Sequence, residues 1–136
     1  MKRTADANWQ GTGKDGKGTV STQSGVLSNT AYSYKSRFEE GIGTNPEELV
    51  AAAHAGCFTM KLSFLLSGAG FTPENIDTKA TITLDNGAIT SSHLVVKVTA
   101  PGLEKEKFDE LAADAKANCP ISKLLNTEIT MEASLA

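Results

Sequence analysis

Asn45-Pro46-Glu47-Glu48-Leu49-Val50-Ala51-Ala52-Ala53-His54-Ala55-Gly56-Cys57-Phe58-Thr59-Met60 is the stretch on which the fold turns. Asn45 can cap a helix start with its side-chain oxygen, and Pro46 suits the first helical position, where its missing N–H has no partner to lose. Glu47 and Glu48 then sit at the positive end of the helix dipole. Small and apolar residues occupy nearly every face from there to Leu65 and Leu66, so the spacing predicts a helix covered by protein on all sides. Ser67-Gly68-Ala69-Gly70 ends it. Cys57, one of only two cysteines, falls in the middle of this rod and marks the place where chemistry is expected.

Outward from that helix the chain reads as one domain over residues 1–136, long enough to bury a core without metal or disulfide staples. A formal charge of -3 with scattered lysines and arginines argues against a nucleic-acid partner. Met1-Lys2-Arg3-Thr4-Ala5-Asp6 has no apolar run behind its two cations and is not a signal peptide. Lys61 and His54 interrupt the central helix, so no membrane association is expected. These features predict a cytoplasmic protein. Two cysteines are too few for a disulfide scaffold, and in a reducing compartment such a pair points to redox chemistry or metal binding.

The first forty residues read as strands: Asp6–Thr12, Gly18–Gln23 and Ala31–Phe38 are short runs separated by glycine and polar clusters. Gly11-Thr12-Gly13-Lys14-Asp15-Gly16-Lys17-Gly18 reads as a hairpin turn, because it lacks the Gly-Lys-Ser/Thr ending and the following helix of a phosphate loop. Strand alternation over Tyr32–Phe38 would place Arg37 with Lys35, towards solvent or a partner. After the helix and a connector over Phe71–Asp77, Ala80, Ile82 and Leu84, the turn Asp85-Asn86-Gly87, and Leu94, Val96 and Val98 describe an antiparallel hairpin with one buried face. Lys105–Ala117 is amphipathic, with Phe108, Leu111, Ala112 and Ala115 on one face. Pro120 opens a short helix through Lys123 and Leu125, and Thr127–Met131 alternates as a last strand.

This order defines an α+β fold, an antiparallel sheet packed around a long buried central helix. A helix apolar all round needs more cover than these elements supply, which predicts a homodimer closing over it.

A cysteine attacks as its thiolate, of which an unperturbed thiol with a pKa of about 8.5 supplies only a few per cent at neutral pH. Buried in an apolar helix, Cys57 is inert packing unless a cation stands beside it. Cys119, at a Cys-Pro helix start, lies near free N–H groups, and composition alone nominates it as the more acidic thiol. Two cysteines near one pocket permit a peroxidase cycle through a sulfenic acid and a disulfide.

Arg37-Phe38, Gly43-Thr44-Asn45-Pro46-Glu47-Glu48-Leu49, Ala52-Ala53-His54-Ala55-Gly56-Cys57-Phe58, Gly70-Phe71-Thr72-Pro73 and Asn118-Cys119-Pro120-Ile121-Ser122 together resemble the OsmC/Ohr family of thiol peroxidases. Gly18-Thr19-Val20-Ser21-Thr22 and Ser24-Gly25-Val26-Leu27 resemble its osmotically inducible OsmC branch. The likeness spans essentially the whole chain without departure at the motif positions. It implies a thiol-dependent peroxidase of organic hydroperoxides, with Cys57 peroxidatic, Cys119 resolving through a Cys57–Cys119 disulfide, and Arg37 and Glu47 completing the site. This reverses the nomination of Cys119.

Arg37 would favour the Cys57 thiolate and meet the charge developing on a peroxide oxygen, while Glu47 would hold the guanidinium by a two-point contact. Glu48 takes the capping role. Ten residues along a helix is about 15 Å, so Glu47 cannot touch Cys57 of its own helix. Arg37 and Glu47 are therefore expected to serve Cys57 of the partner chain, in keeping with the intertwined dimers the resemblance implies. Phe58, Met60, Phe64 and Phe38 are candidates for the apolar walls that would favour an alkyl hydroperoxide, and equally for core. No organic cofactor and no metal is required, because sulfur carries the electrons. A dithiol reductant, of the lipoyl type by the resemblance, reopens the disulfide.

Other readings stand beside this one. His54, three residues before Cys57, is either core packing or a base for a cysteine nucleophile. A zinc site from Cys57, Cys119, His54 and His93 has the right ligand types without close paired spacing. The alternative function is a non-catalytic, stress-protective dimer whose groove holds an apolar ligand.

Overall fold

The computed structural model describes residues 1–136, which divide into two compact units, Met1–Leu49 and Val50–Ala136. In the first unit, β1 (Ala5–Gln10), β2 (Lys17–Thr22) and β3 (Thr30–Tyr32) form an antiparallel sheet in that order, with Ala7 opposite Val20 and Gly18 opposite Tyr32. The glycine-rich stretch is the β1–β2 turn, held by Trp9 Nε1 donating to the Thr12 carbonyl at 3.1 Å. Gly18 lies between the Trp9 and Tyr32 rings, whose centroids are 5.3 Å apart, and a Cβ there would come within 2.5 Å of the indole.

The strand expected over Ala31–Phe38 stops at Tyr32, and Tyr34–Phe38 is a short helix, α1. Tyrosines at alternate positions suggested a strand, but Ser33 and Ser36 form a reciprocal capping box. The Ser36 N–H donates to Ser33 Oγ and the Ser33 N–H to Ser36 Oγ, a local arrangement that competes with the sheet ladder. Arg37 therefore projects from a helix rather than from a strand.

Helix α2 runs Pro46–Gly68 and begins where the sequence places it. Asn45 Oδ1 accepts from the Glu48 N–H at 2.8 Å, and its Nδ2 donates to the Ser36 carbonyl at 2.9 Å, tying α1 to the start of α2. Glu48 accepts from Thr44 Oγ1 at 2.8 Å, the structural role assigned to it. At the far end Gly70, at φ +92°, lets the Phe71 N–H reach the Leu66 carbonyl at 2.9 Å.

In the second unit β4 (Asn75–Asp85) and β5 (Ala88–Thr99) form the expected hairpin, turning at Asn86 and Gly87 with φ of 50° and 77°. Helices α3 (Lys105–Asn118) and α4 (Pro120–Leu124) follow, then β6 (Glu128–Leu135). β6 pairs parallel to β5, so the sheet β4-β5-β6 is mixed rather than antiparallel throughout. The reason is topological: α3 and α4 carry the chain back along the sheet, and a strand reached through such a crossover enters in the direction of its neighbour.

The core joins Phe58, Leu62 and Leu66 of α2 to Leu94, Val96 and Val98 of β5 and to Phe108, Leu111, Ala112 and Ala115 of α3. On α2 the fully buried positions are one stripe of four-residue spacing, His54, Phe58, Leu62 and Leu66. The expectation of a helix covered on all sides is not met within one chain, where Met60 is 64% and Phe64 69% exposed. One sheet and one helix can cover only one stripe. Despite His54 and Lys61, α2 is long and apolar enough by composition to cross a bilayer, but the 54/58/62/66 stripe is spent on this core. Leu62→Ala is expected to cost about 2–5 kcal/mol, read as a lower urea midpoint at unchanged slope; a loss below half a kcal/mol would mean that α2 is not anchored this way.

Candidate active site

Arg37 and Glu47 meet in the first unit. Arg37 Nε donates to Glu47 Oε1 at 2.9 Å, and Nη2 lies 2.9 Å from the same oxygen in the ion pair. The two-point contact expected from the sequence is present, but on one oxygen rather than two, and Glu47 Oε2 is buried without a partner. The guanidinium lies 5.0 Å from the centre of the Phe38 ring and keeps 41% of its side chain exposed. It borders a cleft of about 240 Å³ walled by Trp9, Tyr32, Tyr34 and Phe38. The arrangement presents a fixed positive charge among aromatic rings, with a carboxylate oxygen held in reserve beside it.

Cys57 and Cys119 meet in the second unit, both as free thiols. Cys57 is half-buried on α2, and Cys119 is fully buried at the cap of α4. Burial pushes the Cys57 thiol up from its ordinary range, and the adjoining Cys119 thiol pushes the same way. The Ile121 backbone N–H, which donates to it, and the Lys61 ammonium act in the opposite direction without reversing the shift. The second unit by itself thus favours the protonated form of Cys57 over its nucleophilic thiolate. Cys57 opens on an apolar cleft of about 520 Å³ lined by Met60, Lys61, Phe64, Asn118 and Pro120. Of the expected wall residues, Met60 and Phe64 line this cleft and Phe38 lines the one beside Arg37. Phe58 does not: it is fully buried core.

His54 is core and also connected. It is fully buried, with Nδ1 2.6 Å from Ser92 Oγ and Nε2 2.8 Å from Ser122 Oγ. Ser122 Oγ lies 3.0 Å from Cys119 Sγ, which also accepts from the Ser122 N–H at 3.3 Å. His93 instead bonds Thr130 Oγ1 at 2.6 Å and Glu132 Oε2 at 2.9 Å, so the residues considered for zinc are divided between two networks. Sequence reasoning singled out His54, quoted Ser122 only as part of the family motif and gave Ser92 no place. The signals were present, since Ser92 is the polar residue on the Leu94/Val96/Val98 face and Ser122 stands at the third helical position after the cap Cys119.

Residues 39–134 match the family described as OsmC-like protein. The chain is 49% identical over 139 residues to the Peroxiredoxin OsmC of Escherichia coli K12, covering 99% of this chain and 97% of that one. It superposes on an OsmC like protein from Mycoplasma pneumoniae with a TM-score of 0.79 at 12% identity, covering 100% of this chain and 98% of that one. On the organic hydroperoxide resistance protein OhrB of Bacillus subtilis the TM-score is 0.65 at 25% identity, covering 98% of each. This chain belongs to the OsmC-like protein family, and Glu47, Cys57 and Cys119 all lie within the matched residues.

Burial holds the His54 imidazole below its ordinary pKa of 6.5. The folded chain therefore binds fewer protons than the unfolded chain as pH falls through 6.5, and stability is lost in that direction. The urea midpoint is expected to drop between pH 7 and 5, and to drop less in His54→Gln. Equal drops in the two proteins would place the acid sensitivity elsewhere.

Proposed function

We propose that Cys57 reduces organic hydroperoxides and that Cys119 resolves the product as an intramolecular disulfide. The chain is a thiol peroxidase of the hydroperoxide-resistance type, in line with its near half identity to a peroxiredoxin along its whole length. The observation that carries the finer reading is the adjacency of the two free thiols, one of them opening on an apolar cleft.

The cycle balances on sulfur alone. The Cys57 thiolate attacks the outer oxygen of ROOH, the O–O bond breaks, and the alkoxide leaves as ROH with a proton, leaving Cys57 as a sulfenic acid. Cys119 then displaces hydroxide from that sulfur, forming the disulfide and water. A dithiol, of the lipoyl class in this reading, restores both thiols in the reducing cytoplasm.

The cation that burial of Cys57 demands is, in this reading, Arg37 of a second copy of the chain. Two observations support it. Glu47, which holds Arg37, stands ten residues before Cys57 on an unbroken helix, about 15 Å along the axis. Met60 and Phe64 leave an apolar face of that helix open to a partner. A homodimer crossing there would bring the aromatic cleft beside Arg37 against the Cys57 cleft and enclose an alkyl chain between them. The guanidinium would favour the thiolate and meet the leaving oxygen, while Glu47 fixes its direction.

Cys57→Ser is expected to abolish reduction of cumene hydroperoxide while leaving the fold intact, and retained turnover would remove the enzymatic reading in favour of an apolar-ligand carrier. Cys119→Ser should consume one equivalent per chain and then accumulate Cys57 sulfinic acid, measured by intact mass; sustained turnover with a dithiol at the wild-type rate would deny Cys119 its role. Arg37→Met should lower kcat/KM about a hundredfold and slow alkylation of Cys57 by iodoacetamide at neutral pH, and an unchanged alkylation rate would deny Arg37 its effect on the thiolate.

A further inference from the structure

We propose that His54, acting through the Ser122 hydroxyl, takes the proton of Cys119 as this cysteine attacks the oxidised Cys57. The inference rests on the peroxidase reading and concerns its second step. A buried imidazole needs two hydrogen-bond partners for structural reasons, and Ser92 and Ser122 meet that need. The third link goes beyond what the helix cap needs: the Ser122 N–H already caps α4 on Cys119 Sγ at 3.3 Å, yet the Ser122 hydroxyl also reaches that sulfur, at 3.0 Å, extending the network to a reacting atom.

One proton arrangement that these contacts allow at rest is set for the transfer. With Nδ1–H donating to Ser92 Oγ, His54 Nε2 is free to accept from the Ser122 hydroxyl, which in turn accepts from the Cys119 thiol. Shifting each proton one place along this line yields the Cys119 thiolate and a His54 imidazolium, still donating to Ser92 through Nδ1 and now donating to Ser122 through Nε2. The new thiolate then accepts from both the hydroxyl and the N–H of Ser122.

The step balances. The Cys119 thiolate attacks the sulfenic sulfur of Cys57, an S–S bond forms and the S–O bond breaks. The departing hydroxide takes up a proton as the imidazolium gives one up, so that one disulfide and one water result. Cys57 is reduced and Cys119 oxidised, with no other oxidant or reductant.

His54 suits the task because it is neutral when the step begins. Burial is what acts on its titration, with no charged side chain contributing. The groups facing it are Ser92 from β5, Ser122 from α4 with Cys119 behind it, and Cys57 one turn further along α2. His54 touches neither sulfur, so it is a positioning and proton-accepting residue, whereas Ser122 contacts the reacting atom.

Rapid mixing of the reduced protein with one equivalent of cumene hydroperoxide separates the two steps, sulfenic acid being trapped with dimedone and the disulfide counted as loss of both thiols. Ser122→Ala and His54→Gln are expected to slow disulfide formation about tenfold or more while the rate of sulfenic acid formation stays within about twofold of wild type. Ser122→Thr, which keeps the hydroxyl, should recover most of the rate. The wild-type resolution rate should fall only at acid pH, below the ordinary imidazole range, and Ser122→Ala should lose that dependence. Wild-type disulfide formation in Ser122→Ala, equal slowing of both steps, or failure of Ser122→Thr to recover the rate would overturn the inference. Absence of sulfenic acid in the wild-type protein would instead overturn the peroxidase reading.

Discussion

The stripe of His54, Phe58, Leu62 and Leu66 along α2, packed on β5 and α3, is the contact on which the chemistry depends. Because 3.6 residues make a turn, burying those four positions fixes the rotation of the helix and with it the direction of Cys57, one residue before Phe58. The same core positions the end of α3, where Cys119 caps α4. The two thiols are therefore brought together by rigid elements, and loss of apolar contact under α2 would separate them before it removed either one.

That packing sets a problem which the second unit does not solve by itself. Burial disfavours the thiolate on which peroxide chemistry depends, and the Ile121 N–H and Lys61 only moderate this. In the first unit, Arg37 is held by a glutamate that has a buried oxygen to spare. In the proposed cycle each unit carries half of what a peroxidatic cysteine requires, the guanidinium in one and the thiols in the other. An apolar face of α2 is left open beside Cys57, and in the proposed dimer a second copy would cover it, which would make activation and assembly one event.

Much of this was legible in the chain. The Asn45-Pro46 start of α2, the Asn86-Gly87 hairpin and the amphipathic α3 rest on local rules that nothing distant overrides. Tyr34–Phe38 was misread because alternation of aromatic residues outweighed a serine pair whose hydrogen bonds close a helical turn. The parallel pairing of β6 has no local signature, since it follows from the route of the chain across α3 and α4. Likewise the apolar circumference of α2 revealed that cover was required, but not which stripe the chain covers itself. Among the candidate site residues, the roles of Arg37, Glu47, Cys57 and Cys119 came from family pattern, and the structure pairs Arg37 with Glu47 and Cys57 with Cys119. Ser92 and Ser122 required coordinates because their meaning lies in a histidine 38 and 68 positions away in sequence.

The most direct test of the account is complementation between two inactive chains. In the proposed dimer, coexpressed Cys57→Ser and Arg37→Met chains would form mixed dimers in which one site combines an intact Cys57 with an intact Arg37 from the other chain. Sharing of a site across the dimer predicts recovery of about a quarter of wild-type hydroperoxide reduction at equal expression, since half the dimers are mixed and each has one complete site. Activity no greater than the sum of the two separate variants, in preparations shown to contain the mixed dimer, would contradict it.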